Sequence, residues 1–166
     1  FNEQVVEVST PLFEDGQIQL FTWNDGQGKN AFWHSSAHVL AQAILALYPQ
    51  AKLTIGPAIE NGFYYDVDFG DHSITEKELK DIEKKFLDFA RKKFEFKMRS
   101  ASKQEALDFY HKDENPYKIE LIENLEDGTI TFCDHADFTD LCRGGHIPHT
   151  GFIKAVKLLN VAGAYW

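Results

Sequence analysis

Two pairs of side chains with acid–base and metal-ligating chemistry recur at one spacing. "HSSAH" sets His34 and His38 four residues apart, and "CRGGH" does the same for Cys142 and His146. On a helix, positions four apart share a face, so the two imidazoles would stack over one point. Gly144 and Gly145 allow a tight bend between the second pair. Three imidazoles and a thiolate are ligand types that suit tetrahedral zinc. The spacing is not that of a zinc finger, and Ser35 stands where helical zinc proteases carry their catalytic Glu. Each pair alone reads as well as helix decoration or packing. Together they suggest one shared site.

Other polar residues lie nearby in sequence. Asp140 is two residues before Cys142, so on a strand both would point to one face. Arg143 suits a phosphate or plain solvent, and Lys118 suits a cleft or solvent. Cys133 has no such company and is expected in the core. His72, His111, His135 and His149 are expected on the surface.

The elements that must position these groups follow from pattern. "QVVEV" and "IQLFTW" read as short strands around turn signals, and the polar, Gly-rich "NDGQGKN" reads as a linker. Residues 31–48 carry a helical period, with Asn30 as N-cap and Pro49 as the stop. Residues 52–69 read as a hairpin, with Asn61-Gly62 signalling a type I′ turn. Thr75 and Glu78 form a capping box that opens a helix to about 94, with Leu79, Ile82, Phe86, Phe89, Ala90 and Phe94 as its apolar stripe. "EFKMRSA" suggests a strand. Ser102 with Glu105 suggests a second capping box and a helix to about 111. "ENPYKIELIENL" reads as a helix with Pro116 at its first position. "TITFCDHADFTDL" alternates as a strand, and "FIKAVKLLNVAGAYW" suggests one or two more. The sum is an α+β domain, an antiparallel sheet with helices packed on one face.

Composition sets limits. At 43% hydrophobic and 26% charged, the 166 residues suit a soluble globular chain. No apolar run approaches the roughly 18 residues that span a membrane, no signal peptide opens the chain, and two cysteines make no disulfide scaffold. A cytoplasmic protein without membrane contact is expected. A net charge of −9 argues against a general nucleic-acid binder, though not against a site that handles only a nucleic-acid tip. Both ends read as cut from a longer protein.

"HSSAHVLAQAI", "IGPAIENGFYYD", "DLCRGGH" and "KLLNVAGAYW", in that order, resemble the editing domain of bacterial threonyl-tRNA synthetases, with alanyl-tRNA synthetase editing domains as more distant kin. The resemblance spans roughly residues 31–166. It implies residues 1–27 as the tail of a ubiquitin-like TGS domain with linker, and residues 28–166 as a deacylase of the threonyl/alanyl editing type. It implies hydrolysis of mischarged seryl-tRNA(Thr). The reacting groups fall on His34, His38, Lys118, Asp140, Cys142 and His146, and substrate contacts on Gly56, Pro57, Tyr65 and Arg143. Zinc at His34, His38, Cys142 and His146 stays possible, with editing expected to need no cofactor. ATP and the synthetic zinc belong to the absent aminoacylation core. The implied partners are the tRNA(Thr) acceptor end carrying serine and the rest of the synthetase chain. The fragment is expected as a monomer and the full enzyme as a homodimer. Two alternatives remain: a zinc-dependent hydrolase of a small substrate, and a non-catalytic module that holds the acceptor end.

Overall fold

The computed structural model describes residues 1–164. The chain enters its first helix, α1 (Gly26–Leu47), through a turn in which the Asp25 N–H donates to the Thr22 carbonyl. Asp25 is the N-cap, but its carboxylate turns back to accept from the Thr22 backbone N–H (2.7 Å) and hydroxyl (3.0 Å). This sets the Thr22 carbonyl against Gly28, where a Cβ would lie 1.8 Å from the oxygen. Most of the stretch expected as a linker is therefore helix, and Gly28 serves close approach rather than flexibility. Asn30 lies inside α1 rather than capping it.

The strands expected before residue 24 do not form. Strand backbone needs a partner for its N–H and C=O groups, and among the described residues none runs beside this segment. Val5, Val8, Phe13 and Leu20 are exposed there.

After α1, two short ladders nest. β1 (Lys52–Leu53), β2 (Ala58–Ile59), β3 (Gly62–Phe63) and β4 (Val67–Asp68) pair antiparallel as β1 with β4 and β2 with β3. Ile59 pairs with Gly62, so Glu60 and Asn61 are the central turn residues, one position earlier than expected. Asn61 keeps negative φ and Gly62 takes φ +153°, so the turn is not type I′.

The capping box holds: Thr75 accepts from the Glu78 N–H (3.3 Å), and Glu78 accepts from the Thr75 N–H (2.8 Å). It opens α2 (Glu76–Arg91), which buries Ile82, Phe86 and Ala90. The helix stops short of Phe94, where Lys93 takes φ +57° and the Phe94 N–H is captured by the Thr150 hydroxyl (3.1 Å).

Then follow β5 (Lys97–Ser100), α3 (Lys103–Lys112) and α4 (Pro116–Glu123). Ser102 caps α3 through the Glu105 N–H (3.2 Å), while the Glu105 side chain meets Arg99 instead of completing a box. Asn115 caps α4 and Pro116 takes its first turn. The run read as one strand is two, β6 (Thr131–His135) and β7 (Phe138–Leu141), reversed at Ala136 with φ +53°. They extend β5 into an antiparallel sheet of order β5-β6-β7. Past a 3₁₀ turn at Thr150–Phe152, residues 153–164 form no strand; the expectation for 165 and 166 lies outside the described residues.

Alternation along β6 links two cores. Cys133 joins Val39, Ile44 and Phe86 between α1 and α2, and Phe132 joins Ala106, Tyr110 and Ile122 from α3 and α4. The class is α+β, with small antiparallel sheets and four α-helices among the described residues. No described helix is long and apolar enough to cross a membrane. Phe86 is fully enclosed, so Phe86→Ala should cost about 3–5 kcal/mol. A urea titration should show a lower midpoint with an unchanged slope; an unchanged midpoint would mean that the α1–α2 core carries little of the stability.

Candidate functional site

The site lies where α1, α4, β7 and the β4 approach converge. His34 and His38 project from one face of α1 with their Nε2 atoms 3.1 Å apart. Cys142, just past β7, sets Sγ 3.4 Å from His34 Nε2 and 3.4 Å from His146 Nε2. Gly144 (φ +95°) and Gly145 (φ +89°) make the bend that turns His146 back onto Cys142. The Ser35 hydroxyl on α1 accepts from the Ile147 N–H (3.0 Å), which fixes the bend against the helix.

Asp140 is the electrostatic centre. Its Oδ1 accepts from Lys118 Nζ at 2.6 Å, and its Oδ2 accepts from the Tyr65 hydroxyl at 2.5 Å. Tyr110 adds a longer bond at 3.4 Å. Lys118 and Asp140 are both buried. Burial opposes the Asp140 charge, but the Lys118 ammonium and the His38 side chain overrule it and hold the carboxyl well below the ordinary range. His38 Nδ1 lies 3.4 Å from Asp140 Oδ2, outside hydrogen-bond geometry. Gly56 passes under Tyr65, where a Cβ would sit 2.2 Å from the ring.

Burial sets the other protonation states. It lowers the pKa of His34 to about 3, aided by His38 and His146. It also lowers His38 and pushes Cys142 up to about 12, although the Gly144 N–H partly offsets the latter. At neutral pH His34 and His38 are therefore neutral imidazoles and Cys142 a thiol, beside the Lys118–Asp140 ion pair.

A cavity of about 660 Å³ opens onto this arrangement. His34, His38, Lys118, Asp140, Cys142, Gly56, Pro57, Tyr65 and Arg143 all line it. His146 does not; it stands behind Cys142. The structure thus brings the sequence-read groups together in one place.

Sequence reading missed three participants. Glu7, from the segment expected as a preceding domain's tail, bonds to Gly145 and His146. Burial opposes its charge, and the His146 contacts lead in holding the carboxyl below its ordinary range. Tyr110 braces Asp140 from α3. His135, expected on the surface, is 1% exposed, between Phe96 and Phe138 and beside His38. Alternation in β6 was the available signal, because His135 shares the face of buried Cys133. Cys133 itself is buried as expected; His72 and His111 are exposed, and His149 is half-buried.

The residues present fit zinc. One ligand atom from each of His34, His38, Cys142 and His146 lies within 4.8 Å of the others. A tetrahedral zinc needs separations of roughly 3.3–3.8 Å at its usual bond lengths, so shifts of about 1 Å would close a shell.

A family model described as the threonyl and alanyl tRNA synthetase second additional domain matches residues 130–163. Over those residues the chain resembles that family of synthetase domains. Over its whole length it is similar to threonine–tRNA ligases. That of Flavobacterium johnsoniae is 64% identical over 166 residues, all of this chain and 25% of that protein. That of Cytophaga hutchinsonii is 53% identical over 165 residues, 99% of this chain and 26% of that protein. The chain spans about a quarter of the length of these relatives.

The buried histidines make acid sensitivity a testable property. Burial lowers the pKa of His135 to about 3 from 6.5, so between those values the unfolded chain binds more protons. Stability then rises with pH across that window and is lost as pH falls, by about 1.4 kcal/mol per pH unit for each such histidine. Chemical denaturation from pH 7 to 4 should show this loss, and His135→Phe should flatten it. An equal slope in the variant would mean that His135 titrates normally in the folded chain.

Proposed function

We propose that residues 28–166 hydrolyse the ester of seryl-tRNA(Thr), removing serine wrongly attached to the tRNA. The observation that carries this reading is the cavity onto which neutral His34, the Lys118–Asp140 pair and Tyr65 converge. Similarity to threonine–tRNA ligases supplies the substrate class. The chemical need is plain. Serine lacks one methyl of threonine, and a synthetic pocket rejects it by only about 1–3 kcal/mol, so a second site must admit serine and exclude threonine.

Water attacks the ester carbonyl, and the ribose hydroxyl leaves with a proton. A group with a pKa of about 3 is a poor proton acceptor at neutral pH. His34 therefore orients the water by accepting or donating a hydrogen bond. Lys118, next to the cavity, stabilises charge developing on the carbonyl oxygen. Asp140 is anionic and accepts from the serine ammonium or a ribose hydroxyl. Cys142 stays a thiol and is no nucleophile. Arg143, exposed at the rim, meets the terminal phosphate.

Zinc held by His34, His38, Cys142 and His146 would supply Lewis-acid polarisation. Hydrolysis without it is the reading proposed here, with the same four groups serving one another as hydrogen-bond partners. A zinc-dependent hydrolase of a small substrate is the second reading, carried by the ligand cluster. A purely binding module fits less well, since −9 net charge predicts weak, salt-sensitive tRNA affinity. Threonine ligation, ATP, the synthetic zinc and a homodimer interface are assigned to the rest of a cytoplasmic synthetase, with this chain a monomer.

Single-turnover deacylation of Ser-tRNA(Thr) beside Thr-tRNA(Thr), with and without a chelator, is the direct test. Serine should be lost, threonine spared, and the chelator without effect. His34→Ala and Cys142→Ala should slow serine release by at least about tenfold with the fold kept. Lys118→Ala is a less clean probe, because it strands a buried carboxylate and costs about 3–5 kcal/mol in stability. Chelator-sensitive cleavage that ignores seryl-tRNA would install the second reading. Wild-type rates in His34→Ala and Cys142→Ala would remove the assigned roles.

A further inference from the structure

Glu7 is 139 positions from His146 in sequence and makes three contacts to one bend. Its Oε1 accepts from the Gly145 N–H at 2.8 Å and lies 2.8 Å from His146 Nδ1. Its Oε2 accepts from the His146 N–H at 3.1 Å. The His146 side chain is fully enclosed, and that of Glu7 is 14% exposed. We propose that Glu7 is a positioning residue: carried in by the N-terminal segment, it fixes the tautomer and rotation of His146 and thereby the direction of the Cys142 thiol.

A carboxylate only accepts hydrogen bonds, so its partner nitrogen must carry the proton. Glu7 therefore selects Nδ1–H on His146. The Nε2 lone pair is then free, and it faces Cys142 Sγ at 3.4 Å. The thiol proton turns to that lone pair. Sulfur lone pairs are left for the Gly144 N–H at 3.3 Å and for the side facing His34 at 3.4 Å. In the opposite tautomer, Nε2–H would compete with the thiol proton for the same space. Cys133 is a weak substitute for Glu7, since its Sγ lies 3.8 Å from His146 Nδ1. Glu7 also closes the bend itself, because the Gly145 and His146 backbone N–H groups both end on the one carboxylate. Outer carboxylates behind metal-ligating histidines change activity by about 10–100-fold when removed, and the same orienting role sets the scale expected here.

The tautomer claim stands on this geometry alone; the rate claim rests on the hydrolytic reading above. Long-range ¹H–¹⁵N correlation of the histidine rings in the 166-residue chain tests the first. Wild-type His146 should show a protonated Nδ1 and a bare Nε2. Glu7→Ala should move both ring nitrogens toward a tautomer mixture, with a melting temperature near wild type. Glu7→Gln keeps one acceptor oxygen and should retain most of the wild-type signature; it also carries the test where the alanine variant folds poorly. Single-turnover cleavage of Ser-tRNA(Thr) should fall about 10–100-fold in Glu7→Ala, with recovery in Glu7→Gln and an unchanged half-saturating concentration. Identical His146 shifts in wild type and Glu7→Ala, or Nε2–H in wild type, would overturn the proposal. No cleavage by the wild type would sink the hydrolytic reading while the ring shifts still decide the role of Glu7.

Discussion

The buried Lys118–Asp140 pair is the constraint to which the rest of the site answers. Two charges removed from water cost several kcal/mol each, and their attraction repays this only when the remaining donors and acceptors are also matched. Here the matching groups come from the whole chain. Lys118 rides on α4, Asp140 on β7, Tyr65 on the approach to β4, Tyr110 on α3, and His38 on α1. Shift any of these elements and an ion is left partly unpaired in a dry environment. The pair thus couples the position of every wall of the cavity to the packing of the fold.

Around that pair the titratable groups are held neutral. His34, His38 and His135 lose basicity to burial, and Cys142 and Cys133 lose acidity to it. The outcome is a site with one fixed dipole, from ammonium to carboxylate, in surroundings that screen it little. Such a site acts by orienting water and opposing charge already in place, rather than by moving protons to a strong base. It also explains why a thiol so close to imidazole does not ionise. The usual activation of cysteine requires a cationic neighbour, and burial keeps the adjacent His34 uncharged.

Local signals carried well into three dimensions. Thr75 with Glu78, Ser102, and Asn115 with Pro116 each began a helix where they stand, because a cap is decided within one turn. The paired His and Cys spacings gathered into one cluster, which periodicity alone left open. The failures depended on contacts beyond the single turn in which a cap is decided, the displaced Asn61-Gly62 turn being the local exception. Gly28 reads as flexible until the Thr22 carbonyl is seen against it. "QVVEV" has strand composition but no strand beside it. His135 is polar in type, and only the packing of Phe96 and Phe138 makes it internal. Glu7 carries no local signal at all, because its partners lie at the far end of the chain.

A sieve that separates serine from threonine must resist the displacement of one methyl group. Apolar walls alone do this poorly, since side chains can shift by tenths of an ångström at little cost. Tyr65 is different. Its ring lies so close to Gly56 that no side chain fits between them, and its hydroxyl is tied to Asp140 at 2.5 Å. Asp140 is in turn fixed by Lys118. Yielding at this wall would therefore disturb a buried ion pair as well as a packing contact. The electrostatics that make the site costly to build also make its walls stiff, and on the proposed reading that stiffness is what lets size alone decide which amino acid is removed.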